Sequence, residues 1–240
     1  MAPFGTIRTA VAAIVKRHLR GKCSVASAGA MATQIALVLS RIRSGYLVDG
    51  LSLQKDDLQT IIRRIRDDYP LEIAAIWETE TEQAFFINTV LLNAKMKAGN
   101  FPLWVSVATP SQLVPEPCSF RALLSQITLE PGCVSAVTAN KPTDMVPLAA
   151  WLLDYPVAYV VTDPSIPFLM NTALEVYDCW LDWRDECIPL LKFSVPQSCR
   201  VSDLSPTILD TIRSRLLPDV IGKGEPVICQ STIALDRVAL

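Results

Sequence analysis

Histidine is almost absent from this chain, which contains one, His18, among 240 residues. Proton transfer near neutral pH most often uses an imidazole, because histidine is the side chain whose ordinary pKa lies in that range. A Ser-His-Asp or Cys-His arrangement would therefore have to recruit His18, which lies in a predicted helix at the start of the chain. The sequence favours a packing or partly exposed role for this imidazole over a catalytic one.

Glycine-rich phosphate loops and clustered metal ligands are also missing. The nine glycines include no G-x-G-x-x-G or Walker pattern after a predicted strand, and the seven cysteines include no C-x-x-C pair. The closest thiols, Cys179 and Cys187, lack the short spacing of a tetrahedral zinc site. The acidic turns at 78–82 and 182–186 lack the alternating ligands of a calcium loop, so we expect them to be solvated. We expect no cofactor, no structural metal, and reduced, mostly buried thiols in an intracellular protein.

Acidic residues are absent from the first 48 residues, which carry seven basic ones. These are Arg8, Lys16, Arg17, Arg20, Lys22, Arg41 and Arg43. Basic, acid-free starts of this kind are typical of mitochondrial transit peptides. Between Thr6 and Arg20, however, the apolar residues share one helical face and the basic residues take the other. We therefore favour an amphipathic helix that packs on the domain with its basic face in water, in a cytoplasmic protein, with mitochondrial import as the alternative.

Long apolar runs are missing too. The longest uncharged stretch, Ser24–Ser40, contains Thr, Gln and Gly and falls short of the roughly 20 apolar residues that a membrane span needs. We expect a buried helix that begins near Ser24 and stops at Gly45, and no membrane span. The rest of the chain after residue 48 has 15 basic and 24 acidic groups. This acidic excess would repel the phosphate backbone of a long nucleic acid. The expected partner is a protein or a small ligand, not nucleic acid.

Alternating helix and strand patterns fill most of the chain. Pairs of apolar runs with short polar connections predict two antiparallel hairpins. They are Leu71–Trp77 with Ala84–Asn88, and Ala173–Trp183 with Ile188–Val195. The most continuous apolar run, Pro156–Val161, predicts a strand at the centre of a sheet. The sequence thus predicts a single three-layer α/β domain, with a mixed sheet flanked by helices and including both hairpins. Residues 1–45 are predicted to be cationic N-terminal helices that contain any targeting segment, and residues 46–240 the mixed-sheet domain.

Two aspartates follow predicted strands at the end where open α/β sheets bind ligands. If the strands before Asp49 and Asp163 are parallel neighbours, the two carboxylates converge to hold Mg²⁺ or to act as an acid–base pair. Asp49 precedes Gly50 and Asp163 precedes Pro164, and both dipeptides are ordinary turns in which the carboxylate accepts from nearby backbone N–H groups. The turn role is favoured, and Asp49 and Asp163 are the catalytic candidates that remain.

Three stretches of the chain together resemble one protein family. They are YLVDG at Tyr46–Gly50, AIWETETEQAFFINTVLLN at Ala75–Asn93 and PLAAWLLDYPVAYVV at Pro147–Val161. In this order they are similar to the family of unknown function that includes the vertebrate chromosome 1 open reading frame 74 protein, over roughly residues 25 to 165. The resemblance implies an intracellular α/β protein and carries no activity, cofactor or catalytic residue.

These patterns predict a non-enzymatic intracellular α/β protein that acts by binding a partner or a small ligand. The alternative is a metal-dependent hydrolase or phosphotransferase that uses Asp49 and Asp163, and Mg²⁺ is expected only in that case. A third hypothesis is an adapter whose basic N-terminus contacts membranes or nucleic acid.

Overall fold

The structure, a computed structural model, describes residues 2–69, 72–107, 110–161, 169, 172–199, 204–216, 220 and 224–234. Within these residues the chain forms seven α-helices and nine strands. The helices are α1 (Phe4–His18), α2 (Val25–Leu39), α3 (Lys55–Asp68), α4 (Thr89–Ala98), α5 (Cys118–Leu124), α6 (Met145–Leu152) and α7 (Ser205–Arg215). The strands are β1 (Gly45–Leu47), β2 (Ile73–Glu78), β3 (Ala84–Asn88), β4 (Leu103–Ser106), β5 (Val134–Val137), β6 (Val157–Val160), β7 (Ala173–Trp183), β8 (Glu186–Pro196) and β9 (Gly224–Ala234).

The strands are distributed among three sheets. A four-stranded sheet has the order β1-β3-β2-β5 and is mixed, because β3 is antiparallel to both β1 and β2 while β5 is parallel to β2. Strands β4 and β6 form a parallel pair, and β8-β7-β9 form an antiparallel sheet. The predicted α/β fold with a mixed sheet is confirmed, and so are the two hairpins, β2–β3 and β7–β8. The prediction that the mixed sheet includes both hairpins is wrong, because β7–β8 belongs to the antiparallel sheet.

The chain divides into two compact units. The first, unit 1, comprises Met1–Asn100, Leu123–Ala139 and Leu216–Asp219. The second, unit 2, comprises Phe101–Ala122, Asn140–Arg215 and Val220–Leu240. Unit 1 therefore holds the mixed sheet with α1 to α4, and unit 2 holds the two smaller sheets with α6 and α7. The predicted boundary at residue 45 stays a prediction.

The basic N-terminal segment packs on unit 1 through an apolar helical face. Its buried side chains recur every three or four residues along α1, where they meet α2 and α3. They are Phe4, Ile7, Val11, Ile14 and Val15. Full burial of one such aliphatic or aromatic side chain contributes about 1.5 to 3 kcal/mol. Lys16, Arg17 and Arg20 are exposed, so the predicted amphipathic helix with its basic face in water is confirmed.

Helix α2 begins as predicted and ends earlier than predicted. The Ser24 hydroxyl accepts a hydrogen bond from the Ser27 backbone N–H at 3.0 Å, which caps the first turn. At the other end Arg41 adopts the left-handed conformation, with φ 58°, and Ile42 N–H donates to the Leu37 carbonyl. This is a Schellman ending built on an arginine. The prediction that Gly45 stops this helix is wrong, because Gly45 is the first residue of β1.

Two further expectations are corrected within the described residues. Strand β6 pairs only with β4 there, and Tyr159 and Val160 are half-exposed, so the predicted central position for this apolar run is wrong. All seven cysteines are unpaired thiols, but only Cys179 and Cys199 are buried. The prediction of mostly buried thiols is therefore wrong.

Candidate functional site

Helices α1 and α3 lie side by side and run in opposite directions. A hydrogen bond connects the two helices near the end of α1, where His18 Nε2 lies 2.8 Å from Oδ1 of Asp57 in the first turn of α3. Lys22, just beyond α1, donates to the same oxygen at 2.7 Å. Asp57 thus joins both basic groups at one carboxylate and fixes how the two helices face each other.

Asp57 is held as a carboxylate by these contacts. Its second oxygen, Oδ2, accepts from the Gln54 backbone N–H at 3.2 Å, which also caps α3. Burial alone would raise the pKa of Asp57, but the hydrogen bonds from Lys22, His18 and Gln54 outweigh burial and hold this pKa below its ordinary 3.8. Asp57 therefore carries a negative charge at neutral pH and links the two helices.

A groove of about 640 Å³ runs between the two helices; we call it the α1–α3 groove. Its lining is Ala10, Ala13, Ile14 and Arg17 from α1, and Arg63, Arg64, Asp67 and Asp68 from α3. The residues that α1 contributes at positions 10, 13, 14 and 17 share one helical face, because three or four residues make one turn. Two of them are alanines, and these short side chains leave room between the helices.

Positive charge is concentrated toward one end of the α1–α3 groove. Arg17 and Arg63 are exposed and Arg64 is half-buried. None of these three arginines forms an ion pair or side-chain hydrogen bond with any residue that the structure describes. Asp67 and Asp68 lie one turn further along α3. The groove therefore offers three guanidinium groups, from two different helices, above a small apolar floor.

A second hollow of about 490 Å³ continues from this groove past Arg63. It is lined by Ile62, Arg63, Arg66, Asp67 and Gly132. Gly132 has φ 90°, and the Arg66 guanidinium packs against its Cα. A side chain at this position would collide with the guanidinium. A fourth arginine therefore extends the basic surface toward the loop before β5.

The candidate catalytic pair of the sequence is not assembled by the described strands. Asp49 is exposed, two residues beyond β1 and directly before Gly50, which has φ 71°. Strand β1 pairs with β3, whereas β6, the strand that precedes Asp163, pairs with β4. The condition of parallel neighbouring strands is therefore not met. Asp163 itself lies outside the described residues, so its convergence with Asp49 stays a prediction.

The described part of the chain contains neither a cluster of metal ligands nor a helix that could span a membrane. No group of three or more His, Cys, Asp or Glu side chains there is arranged to hold a metal ion. None of the helices found there combines the length and the apolar character needed to cross a bilayer.

Sequence reasoning missed the α1–α3 groove, although part of its signal was visible. The basic face of α1, including Arg17, was predicted to lie in water. Arg63 and Arg64 lie 46 and more positions further along, and no periodicity within α1 indicates which helix packs beside it. The pairing of His18 with Asp57 spans 39 positions and was missed for the same reason.

Comparison of the chain with protein-family models, with curated proteins and with solved structures finds no match. The resemblance to the family that includes the chromosome 1 open reading frame 74 protein stays a prediction.

Proposed function

We propose that this protein is a non-enzymatic binding module whose α1–α3 groove binds an acidic segment of a protein partner. The observation that carries the proposal is the set of three arginines, Arg17, Arg63 and Arg64, on two facing helices, which form no ion pair with any described residue. The single histidine supports a binding role, because His18 is already engaged by Asp57. The free state of all seven thiols is consistent with a reducing, cytoplasmic setting, with mitochondrial import as the alternative.

Carboxylates are the groups that best match this surface. A guanidinium presents its N–H groups as a planar fork that fits both oxygens of a carboxylate. Each exposed pair contributes only about 0.2 to 1 kcal/mol, so useful affinity requires several pairs formed together. Three arginines around one groove meet this requirement, and the apolar floor at Ala10, Ala13 and Ile14 adds contact with short side chains of the partner.

A short acidic segment fits better than a nucleic acid. Asp67 and Asp68 lie at one end of the groove, where they repel a phosphate backbone that continues along α3. The chain beyond residue 48 is acidic as well, with 24 acidic against 15 basic groups. A peptide segment with two or three carboxylates followed by neutral residues avoids both repulsions.

Charge reversal in the groove tests the proposal. The probe is a fluorescein-labelled peptide in which three Glu residues alternate with Ala and are followed by a neutral tail of Ala and Ser, and binding is measured by anisotropy with the full-length protein. R17E/R63E/R64E is expected to weaken binding about tenfold or more, because loss of three pairs of about 0.5 kcal/mol each exceeds the 1.4 kcal/mol of one decade.

The matched control reverses three exposed cations elsewhere on the protein. K97E/R184E/R213E changes the net charge by the same amount and is expected to bind as the wild type does. The same peptide with its three Glu residues replaced by Gln is expected not to bind. The proposal is wrong if the groove variant retains wild-type affinity, or if the control variant loses as much affinity as the groove variant.

A further inference from the structure

Strand β9 forms one edge of the antiparallel sheet in unit 2. It has eleven residues, and every one is paired with β7 in unbroken register, from Gly224 opposite Trp183 to Ala234 opposite Ala173. At about 3.4 Å per residue, this is an edge of about 35 Å. In the described part of the chain no strand pairs with the other side of β9. Helix α7 contacts β9, but the backbone donors and acceptors on this outer side pair with no described strand.

Glu225 and the buried Pro226 protect the start of β9, but from Val227 onward its side chains do nothing to block pairing with another strand. Proteins usually protect an edge with Lys, proline or a bulge. From Val227 to Ala234 the strand carries no ionisable side chain except the Cys229 thiol, and no proline. Most of these residues are exposed, including Val227 with 36% of its surface accessible. Pairing with β7 is also free of bulges.

The opposite edge of the same sheet, β8, is protected in each of these ways. Pro189 and Pro196 remove backbone donors, and the exposed Lys192 adds a charge. The pairing of β8 with β7 is shifted between Cys179 and Trp180. The Tyr159 hydroxyl also donates to the Ser194 carbonyl at 2.9 Å, which occupies an acceptor on β8. The same sheet thus has one protected edge and one edge that is open from Val227 to Ala234.

We propose that the open edge of β9 pairs antiparallel with β9 of a second copy of this chain. The pairing extends β8-β7-β9 into a continuous six-stranded antiparallel sheet with two-fold symmetry. In such an interface each copy offers the same row of donors and acceptors, so the backbone is complementary to itself. The uncharged run makes self-pairing favourable, because no like charges meet across the axis between Val227 and Ala234.

A second copy fits this edge better than a foreign extended peptide. Peptides that add a strand to a sheet are selected by pockets or charges that read their side chains. The run from Val227 to Ala234 provides no charge for such selection. Two identical strands, in contrast, can pair through their backbones without side-chain recognition. The fraction of dimer then rises with the protein concentration.

The experiment is sedimentation equilibrium of the full-length protein over a range of concentrations. The expected result is a concentration-dependent mass that rises toward twice the monomer mass of 26.4 kDa. S231K/T232K places cations on both faces of β9 and is expected to abolish this rise. T6K/S27K makes the same two kinds of replacement at exposed positions of α1 and α2 in unit 1 and is expected to dimerise like the wild type. Circular dichroism checks that each variant is folded.

Hydrogen exchange of the wild-type protein gives a second measurement that needs no variant. Amides between Val227 and Ala234 are expected to become more protected as concentration rises, while those of β8 do not change. The proposal is wrong if the protein stays monomeric at every concentration. This holds even if the protein binds extended peptides at this edge. It is also wrong if S231K/T232K dimerises normally, or if β9 protection is independent of concentration.

Discussion

Glu78, the last residue of β2, is a carboxylate that organises a turn from inside the fold. It is fully buried, and its oxygens accept from the backbone N–H groups of Thr81 at 2.6 Å, Glu80 at 3.1 Å and Ala139 at 3.4 Å. Burial alone would raise the pKa of Glu78, but hydrogen bonds from Thr81, Glu80 and Ala139 outweigh burial and hold this pKa below its ordinary 4.5. One side chain therefore fixes both the β2–β3 turn and the residues after β5.

Glu78→Gln replaces one carboxylate oxygen by an NH₂ group, so a backbone N–H that donated to this oxygen loses its acceptor. The variant is expected to be destabilised by about 1 to 3 kcal/mol. Urea unfolding followed by circular dichroism measures the change. Glu80→Gln, in the same turn but exposed, is the control and is expected to stay within about 0.5 kcal/mol of the wild type. Equal stability of Glu78→Gln and the wild type would show that the turn does not depend on this carboxylate.

The sequence predicted a solvated acidic turn at 78–82, and for Glu78 this was wrong. Composition identifies a run of acidic residues as exposed, because isolated charges are rarely buried. It does not reveal that Ala139, 61 positions later, supplies one of the N–H groups that Glu78 accepts from. Sites made by distant segments, including His18 with Asp57, are lost to local reasoning for this reason.

At the scale of elements, two glycines with equal free space are expected to respond oppositely to the same substitution. Gly29 lies inside α2 and Gly99 ends α4 with φ 66°; in neither case does an added Cβ meet an atom within 4 Å. Gly29→Ala is expected to stabilise the protein by about 0.5 to 1 kcal/mol, because alanine loses less backbone entropy in a helix. Gly99→Ala is expected to destabilise it by about 1 to 2 kcal/mol, because alanine is strained in the left-handed region.

Thermal unfolding of the two glycine variants measures both effects. An added Cβ has the same free space at Gly29 and Gly99. Stability changes of opposite sign therefore come from the backbone conformation. A stabilised Gly99→Ala, or a destabilised Gly29→Ala, would contradict the assigned helix bounds.

Elements whose boundaries have local signals were predicted, and those without such signals were not. Ser24 before an apolar stripe predicted the start of α2, and Ala84–Asn88 matches β3. Helix α4 was missed, because β3 passes directly into it: Asn88 is both the last strand residue and the N-cap, whose side chain accepts from Leu91 N–H. A strand that continues into a helix contains none of the Gly or Pro punctuation on which boundary reasoning depends.

At the scale of the whole molecule, acid is expected to act on unit 1 and alkali on both units, because burial also raises the pKa of Tyr46 in unit 1. Asp57 and Glu78, in unit 1, have lowered pKa values, so their stabilisation is complete above 4.5 and is lost as pH falls through their folded values. In unit 2, burial raises the pKa of Cys179 to about 12 and that of Tyr159 to about 12. Their stabilisation is complete below 9.0 and 10.0 and is lost progressively as pH rises.

Cys179→Ala is expected to make the alkaline loss of stability shallower by up to about 1.4 kcal/mol per pH unit, because one proton fewer is released on unfolding. Urea unfolding between pH 9.0 and about 12 measures the slope, independently of any packing defect that lowers stability at all pH values. Four of the five tryptophans lie in unit 2, so fluorescence reports this transition. The exposed Cys187→Ala is the control, and a wild-type slope in Cys179→Ala would contradict the prediction.

The passage of the chain out of unit 1 after Asn100 and back at Leu123 has a consequence for biosynthesis. Strand β5 is the parallel neighbour of β2, yet it is translated more than fifty codons later. On the ribosome, the mixed sheet therefore stays incomplete until Val137 has left the exit tunnel, by which time the first stretch of unit 2 is already outside. Nascent chains arrested just before residue 134, with β2 already outside the tunnel, would expose the bare side of β2 to chaperones, whereas chains arrested well beyond residue 137 would not.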